Sequence, residues 1–226
     1  MKISKFHFNR LPILKSLPEN EVKWLRANSK ERKVKAKHEL FREGSLPNTV
    51  YILKKGKIKI FQTTINGDEQ IVYIYEPGDI FGYRPLLCNE RHPVTAIALE
   101  ESVLMYIPRS RFQELLERSR ILSHVLLRNL SSEFSVWINY ITTFGQYSVK
   151  ERLSLSLLIL AEKYRKTKDH KRVEIGLSRK DLASFAATSI ETVARMLTKW
   201  KNEKIIAIRK RNIIITDPDR LSRMID

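Results

Sequence analysis

The sequence predicts an α+β chain: an N-terminal antiparallel β jelly-roll barrel, a long dimerisation helix and a C-terminal winged helix-turn-helix. Three observations support this. Glycine is scarce, yet Gly44, Gly56, Gly67 and Gly78 recur at intervals of 12, 11 and 11 residues. Leu130, Phe134, Trp137, Ile141 and Phe144 follow a 4-3-4-3 spacing. Leu177 to Trp200 carries the caps and periodicity of two helices joined by a tight turn.

Short β-rich runs lie between the glycines, at Val50 to Leu53, Ile58 to Phe61 and Ile71 to Tyr75, and Val94 to Ile107 adds another. Short strands at this spacing, broken by turn pairs such as Asn66-Gly67 and Pro77-Gly78, indicate a small antiparallel barrel or jelly roll over roughly residues 30–108. From Ser110 the periodicity becomes helical, with Leu122 and Leu126 leading into the seam. A seam on a long helix outside a closed barrel wants a partner helix. Self-pairing into a parallel dimer is the simplest solution. Packing on the chain's own barrel is the alternative, and both can hold on different faces. Gly145 ends the seam as a hinge or C-cap. The expected division is residues 1–109 for an effector barrel, 110–148 for the dimerisation helix and hinge, and 149–226 for a DNA-binding domain.

Within that last part, a helix from about Val149 to Tyr164 and a polar, basic loop Arg165–Arg172 come first. Ser178 can cap the next helix, whose inner face is Leu182, Phe185 and Ala186. A turn follows at Ala187-Thr188. Thr188-x-x-Glu191 has capping-box spacing, so Thr188 or Ser189 caps a second helix. Val193, Leu197 and Trp200 form its buried stripe, which leaves Ile190, Glu191, Ala194 and Arg195 on the open face. A recognition helix presents side chains to base edges from that position. The β-runs Ile205–Arg209 and Ile213–Thr216 make a wing with Lys210, Arg211 and Asn212 at its basic tip.

Charge agrees with a polyanionic partner. The formal net charge is +17. Residues 150–226 hold 19 Lys and Arg against 10 Asp and Glu, a net +9 in 77 residues, whereas the first 149 hold 23 against 15, a net +8. Double-stranded DNA is the expected partner. Cys88 is the single cysteine, so no intrachain disulfide forms, and a four-thiolate iron–sulfur cluster lacks its ligands. No apolar run reaches bilayer length, and the first sixteen residues lack the apolar core of a signal peptide. A cytoplasmic location without membrane contact is expected. A cupin-type metalloenzyme would need several histidines inside the barrel, and that region offers only His38 and His92. No enzyme and no metal site are expected.

Four motifs add a resemblance: Leu40-Phe41-x-x-Gly44, Tyr51-Ile52-Leu53-x-x-Gly56, Gly78-Asp79-Ile80-Phe81-Gly82, and Ser189 to Arg195, with a Glu-Thr-Val-x-Arg core. In this order, from about residue 15 to 216, the chain resembles the bacterial Crp–Fnr regulators. The resemblance implies a homodimeric, sequence-specific transcription regulator that binds a palindromic operator and works with RNA polymerase. It implies that Glu191 and Arg195 read bases. Ile190 stands where the catabolite activator carries Arg, and so looks closer to the fumarate–nitrate branch. Ser178, Arg179, Ser189 and Thr192 look like phosphate contacts, joined by Lys210 and Arg211 at the wing. Ala187 stands where the family often has Gly. At positive φ it would be strained by about 1 kcal/mol.

The effector pocket departs from the pattern. Cyclic-nucleotide-binding members have Gly-Glu at the mouth of a short phosphate-binding helix, followed later by Arg-Ser/Thr-Ala. Here Gly82 remains but Tyr83 replaces Glu, and His92-Pro93-Val94 falls where the Arg motif belongs. Arg84 and Arg91 offer shifted charges. Trp137 and Ile138 occupy the two polar positions that contact adenine in the catabolite activator. Gly82, Tyr83, Arg84, Arg91, His92 and Trp137 are thus pocket candidates for an unknown effector other than cyclic AMP, and no cofactor is expected. Carbon-monoxide-sensing relatives ligate haem from a similar region, but Cys88 and His92 read more simply as a small buried thiol and a loop histidine. His7, His38, His124 and His170 share no metal-ligand spacing.

Overall fold

Two four-stranded antiparallel sheets face each other in the N-terminal part of the computed structural model, which describes residues 3–8, 11–165 and 173–225. The chain enters through α1 (Ile13–Ser16) and α2 (Glu19–Ala27). It then forms β1 (Lys30–Val34), β2 (Glu39–Phe41), β3 (Thr49–Lys55), β4 (Ile58–Thr63), β5 (Glu69–Tyr75), β6 (Ile80–Phe81), the short helix α3 (Arg84–Leu87), β7 (Thr95–Ala98) and β8 (Ser102–Pro108). The sheets run β1-β8-β3-β6 and β2-β7-β4-β5.

Apolar pairs set the register. Val50 lies opposite Ile107 and Ile52 opposite Met105, while Ile58 faces Tyr75 and Ile60 faces Tyr73. All eight are buried, so a slip by one residue would turn each of these rows to solvent. The β1 strand is different: Lys30, Glu31, Arg32 and Lys33 are exposed on a sheet edge, where charge discourages pairing with other chains. Gly56, at φ +94°, closes the β3–β4 turn against Ser102, and a Cβ there would lie 2.2 Å from the Ser102 hydroxyl.

Helix α4 (Arg109–Arg118) stops at Ser119, whose hydroxyl accepts from the Leu122 amide at 3.0 Å and donates to Glu21 at 2.6 Å. Helix α5 (Arg120–Gln146) then runs 27 residues without interruption. Gly145 lies inside α5, one residue before its end, so it is not the C-cap. The chain divides into two compact units, Asn9–Glu133 and Met1–Phe8 with Phe134–Asp226, so α5 serves both. In the first, Leu122, Val125 and Leu126 join a core with Ile13, Leu25 and Phe112, and Asn129 Oδ1 accepts from the Leu11 amide at 2.9 Å. In the second, Val136, Tyr140 and Thr143 are the buried positions.

The second unit continues with α6 (Val149–Tyr164), β9 (Glu174–Ile175), α7 (Arg179–Phe185), α8 (Ile190–Asn202), β10 (Ile206–Arg209), β11 (Asn212–Ile215) and α9 (Pro218–Ser222), with the strands in the order β10-β11-β9. Residues 166–172 of the anticipated basic loop, including His170, lie outside the described residues. Ser148 opens α6 with a complete capping box: Glu151 reaches back to the Ser148 amide at 2.6 Å. No helix among the described residues is long and apolar enough to cross a membrane.

An N-terminal strap also belongs to this unit. Phe6 is fully buried and meets the Tyr140 ring edge-on at 5.3 Å, Phe8 meets Trp137 at 6.0 Å, and Asn139 donates to the Lys5 carbonyl at 3.1 Å. Tyr140 in turn meets Phe185 of α7 edge-on at 6.5 Å. The His7 imidazole lies 3.0 Å from a Glu162 carboxylate oxygen, an ion-pair distance. Burial, aided by Lys163, holds His7 at about 3, so the ring is neutral and the contact is no salt bridge.

Phe6→Ala should therefore empty an aromatic-lined site and destabilise this unit by about 3–5 kcal/mol. Lys5→Ala should cost less, about 0.5–1 kcal/mol, because it keeps the backbone carbonyl bond and loses only the Lys5 ammonium over the Phe6 ring at 5.2 Å. Denaturant midpoints of the two variants check the difference.

Candidate functional site

The recognition helix is built from its caps inward. Ser178 Oγ accepts from the Asp181 amide at 3.0 Å and starts α7, while Ser189 Oγ accepts from the Thr192 amide at 3.2 Å and starts α8. Between them Ala187 takes φ 51°, the left-handed conformation that costs an alanine about 1 kcal/mol. The turn is held from both sides. The Thr188 amide donates to the Ala183 carbonyl at 3.0 Å. From α6, Arg152 donates to the carbonyls of Ala186 at 3.2 Å, Ala187 at 3.0 Å and Tyr147 at 2.8 Å. The Thr188 amide is thus spent on closing α7, and the cap of α8 falls on Ser189 with Thr192, not on the Thr188–Glu191 box. Arg152 escaped the sequence reading, since nothing local marks an arginine whose partners lie about 35 residues away.

Around α8 the two faces separate cleanly. Val193, Leu197 and Trp200 are buried, and Ile190, Glu191, Ala194 and Arg195 are exposed. Arg179 sits in the first turn of α7, half-buried, with one guanidinium nitrogen shielded from solvent and lacking a hydrogen-bond partner among the described residues. Burial lowers its pKa from the usual guanidinium value. Lys210 and Arg211 are exposed at the two-residue connection of β10 and β11, where Lys210 takes φ 54°. Asn212 Nδ2, at the start of β11 beside this tip, donates to Glu174 at 2.8 Å.

Of the barrel candidates, Tyr83 and Arg84 meet at Glu133, while Arg91 and His92 lie apart from them. Gly82 takes φ +80° and passes close to β3, where a Cβ would stand 3.1 Å from the Thr49 carbonyl. This turn delivers Tyr83 into the interior, where its hydroxyl donates to Glu133 Oε1 at 3.2 Å. Arg84 places one nitrogen 3.2 Å from Glu133 Oε2 and donates another to the Tyr75 hydroxyl at 3.2 Å. Glu133 is only 2 % exposed. Its charge therefore depends on Arg84 and Tyr83, because a buried carboxylate without partners is very costly. Arg91 lies apart, exposed, donating to the Gly44 carbonyl at 2.8 Å. Trp137 lies in the second unit against Phe8 and Tyr140. Glu133 and Tyr75 carry no motif of their own and were not among the pocket candidates.

His92 is 3 % exposed and stacks on Phe41 with ring centroids 3.8 Å apart. Burial pushes its imidazole down to about 4. Cys88 is exposed rather than buried, and its thiol donates to the Arg84 carbonyl at 3.3 Å. No group of three or more potential metal ligands converges among the described residues.

A capped helix with one buried and one open face, beside a basic β-wing and preceded in the chain by a two-sheet jelly roll, defines a DNA-binding regulator with a nucleotide-pocket-type barrel. The cyclic nucleotide-binding domain model matches residues 31–119, and the Crp-like helix-turn-helix model matches residues 151–224. The chain belongs to the Crp/Fnr family of transcription regulators, and its role is DNA binding, not catalysis. It is 28% identical over 183 residues to the transcriptional activator protein Anr of Pseudomonas protegens, covering 80% of this chain and 75% of that one. It is 27% identical over 210 residues to the regulatory protein HlyX of Actinobacillus pleuropneumoniae, covering 92% and 87%. In fold it is similar to FixK2 from Bradyrhizobium japonicum, with a TM-score of 0.74 at 19% identity over 87% of this chain and 96% of that one.

His92 has a consequence for pH. Its folded pKa lies below the ordinary 6.5, so the unfolded chain binds the proton first as pH falls. Its contribution is fully present above about 6.5 and is lost progressively down to about 4. His92→Leu should flatten the pH dependence of unfolding free energy in that window by up to about 1.4 kcal/mol per pH unit. Urea titrations at several pH values check it.

Proposed function

We propose that two copies of this chain pair through α5 and bind a palindromic operator, and that they do so without cyclic AMP. The observation that carries the DNA reading is the division of α8, with Val193, Leu197 and Trp200 buried and Glu191 and Arg195 left open. A guanidinium bonds bidentately to guanine O6 and N7, and a carboxylate accepts from cytosine N4. Arg195 and Glu191 take those roles, with Ile190 offering apolar contact to a thymine methyl. Arg179, Thr192 and the serine caps Ser178 and Ser189 set register on the backbone, and Lys210 and Arg211 add wing contacts. RNA polymerase is the partner through which the bound regulator acts, in the cytoplasm. In this scheme residues 1–109 act as the effector barrel, 110–148 as the dimerisation helix and 149–226 as the DNA-binding domain.

The α5 surface supports pairing. Leu127, Phe134, Ile138 and Ile141 are exposed, Phe134 by 67% and Ile141 by 75%. Of the seam residues, Leu130, Trp137 and Phe144 are half-buried within their own chain. The paired stripe is therefore centred on Phe134 and Ile141 and takes in Ile138. A contiguous apolar stripe of this kind marks an interaction surface, and an isologous partner helix covers it by symmetry.

The Arg84 environment argues against cyclic AMP. A cyclic nucleotide would have to bring its phosphate to a guanidinium already facing the buried Glu133 carboxylate, which repels a second anion. Tyr83 also replaces the ribose-binding Glu of the nucleotide-binding members. Together these should weaken binding about a thousandfold or more.

Selection of bound sequences from random DNA should yield two half-sites about one helical turn apart. Arg195→Ala should cost about 1–3 kcal/mol and relax preference at one G·C pair in each. Ile141→Glu should give monomers in sedimentation and lose operator binding; a variant that stays dimeric places the interface elsewhere. Calorimetry should find no micromolar site for cyclic AMP, and one such site per subunit would overturn the effector reading.

A further inference from the structure

A cleft of about 670 Å³ opens beside the recognition helix, within the second unit. Lys150 from the first turn of α6, Arg195 and Lys199 from α8, and Arg220 and Arg223 from the α9 end of the chain all line it. Glu203 is its single carboxylate, and it already faces Arg220 at 3.5 Å and Lys199 at 4.0 Å. Neither Arg195 nor Arg223 has a carboxylate within ion-pair distance among the described residues. The cleft thus presents a net excess of cations, and it shares Arg195 with the open face of α8.

We propose that this cleft is a second DNA contact, gripping the phosphodiester backbone beside the bases that α8 reads. The proposal rests on the DNA-binding reading above and adds Lys150, Lys199, Arg220 and Arg223 to it. Two features favour a phosphate backbone over an acidic protein segment. First, the cleft is continuous with the face that meets DNA, so a duplex seated on Arg195 brings its own anions to the opening. Second, protein docking depends on an apolar anchor seated in a pocket. Here the Trp200 beneath the cleft is fully buried, and only Met196 and Met224 offer partly exposed apolar surface. The five cations therefore carry the recognition of an anion, and apolar surface between them makes up the rest of the lining. Arg220 is pre-positioned for it, since it also donates to the Glu203 carbonyl at 3.2 Å.

The test compares the full-length protein with Lys150→Ala/Arg223→Ala, binding both its selected operator and random DNA across a salt series. Each phosphate contact adds roughly 0.9 to the slope of log affinity against log salt, and the double variant removes two from each subunit of the dimer, so its slope should be shallower by roughly 3.5. Affinity for operator and random DNA should fall together, by about tenfold at 0.1 M salt, with the preferred sequence unchanged. A control of equal charge in the barrel unit, Lys30→Ala/Lys35→Ala, should change the slope much less. Arg223→Gln alone keeps most of the side chain and, lost from both subunits, should lower the slope by about two, in case the double variant folds poorly. Slopes indistinguishable from the control overturn the proposal, and so does a selective loss of operator preference, which would make these residues base readers. If the unaltered protein binds no DNA, the underlying reading fails and the proposal goes with it. If it binds, and Arg195→Ala relaxes preference while the cleft variants change nothing, only the cleft assignment fails.

Discussion

One helical period has to satisfy several neighbours along α5. Over 27 residues, about 40 Å of helix, one face is buried at Leu122, Val125, Leu126, Asn129 and Glu133 in the barrel unit. The same face is buried at Val136, Tyr140 and Thr143 in the other unit. These positions advance by three and four, so they stay in line only while the helix stays regular. That regularity explains why Gly145 is accommodated inside the helix instead of ending it. It also fixes what remains on the opposite side, namely Leu127, Phe134, Ile138 and Ile141.

Two polar groups on the buried face, Asn129 and Glu133, are matched, while the buried Tyr140 hydroxyl has no hydrogen-bond partner among the described residues. Asn129 exchanges hydrogen bonds with the Leu11 backbone, and Glu133 meets Tyr83 and Arg84. Replacing one partner of such a set strands a buried charge, which costs far more than the pair contributes net. The cluster therefore specifies how α5 and the short helix α3 meet, more than how strongly. A similar economy governs the helix-turn-helix. Ala187 stores strain at the turn, and two hydrogen bonds from Arg152 hold its surroundings in place.

Much of this was legible before any coordinates. Ser178, Ser189 and the Val193–Leu197–Trp200 stripe follow from capping and the 3.6-residue period, both local. The β3, β4 and β5 strands announce themselves by apolar runs between turn glycines. What escaped has a common cause. The β1 strand carries charge in place of alternation because it lies on an edge. The Glu133–Arg84 contact, the Phe6–Tyr140 contact and the Arg152 clamp join residues far apart in sequence, and no local pattern encodes them. The 4-3-4-3 seam was found, but spacing alone does not say which flank turns inward. Trp137 and Phe144 lean toward their own chain, and Ile138 replaces them on the outside.

The carboxylate at Arg84 bears on how such a regulator is controlled. On the proposed reading, a pocket that already holds an internal anion does not wait for an anionic nucleotide. What would then vary in the cell is the number of molecules. Dimers form in proportion to the square of the subunit concentration while they are scarce, so operator occupancy would rise steeply with synthesis and collapse quickly with dilution or proteolysis. Gene dosage and turnover, rather than cyclic AMP, would set the response.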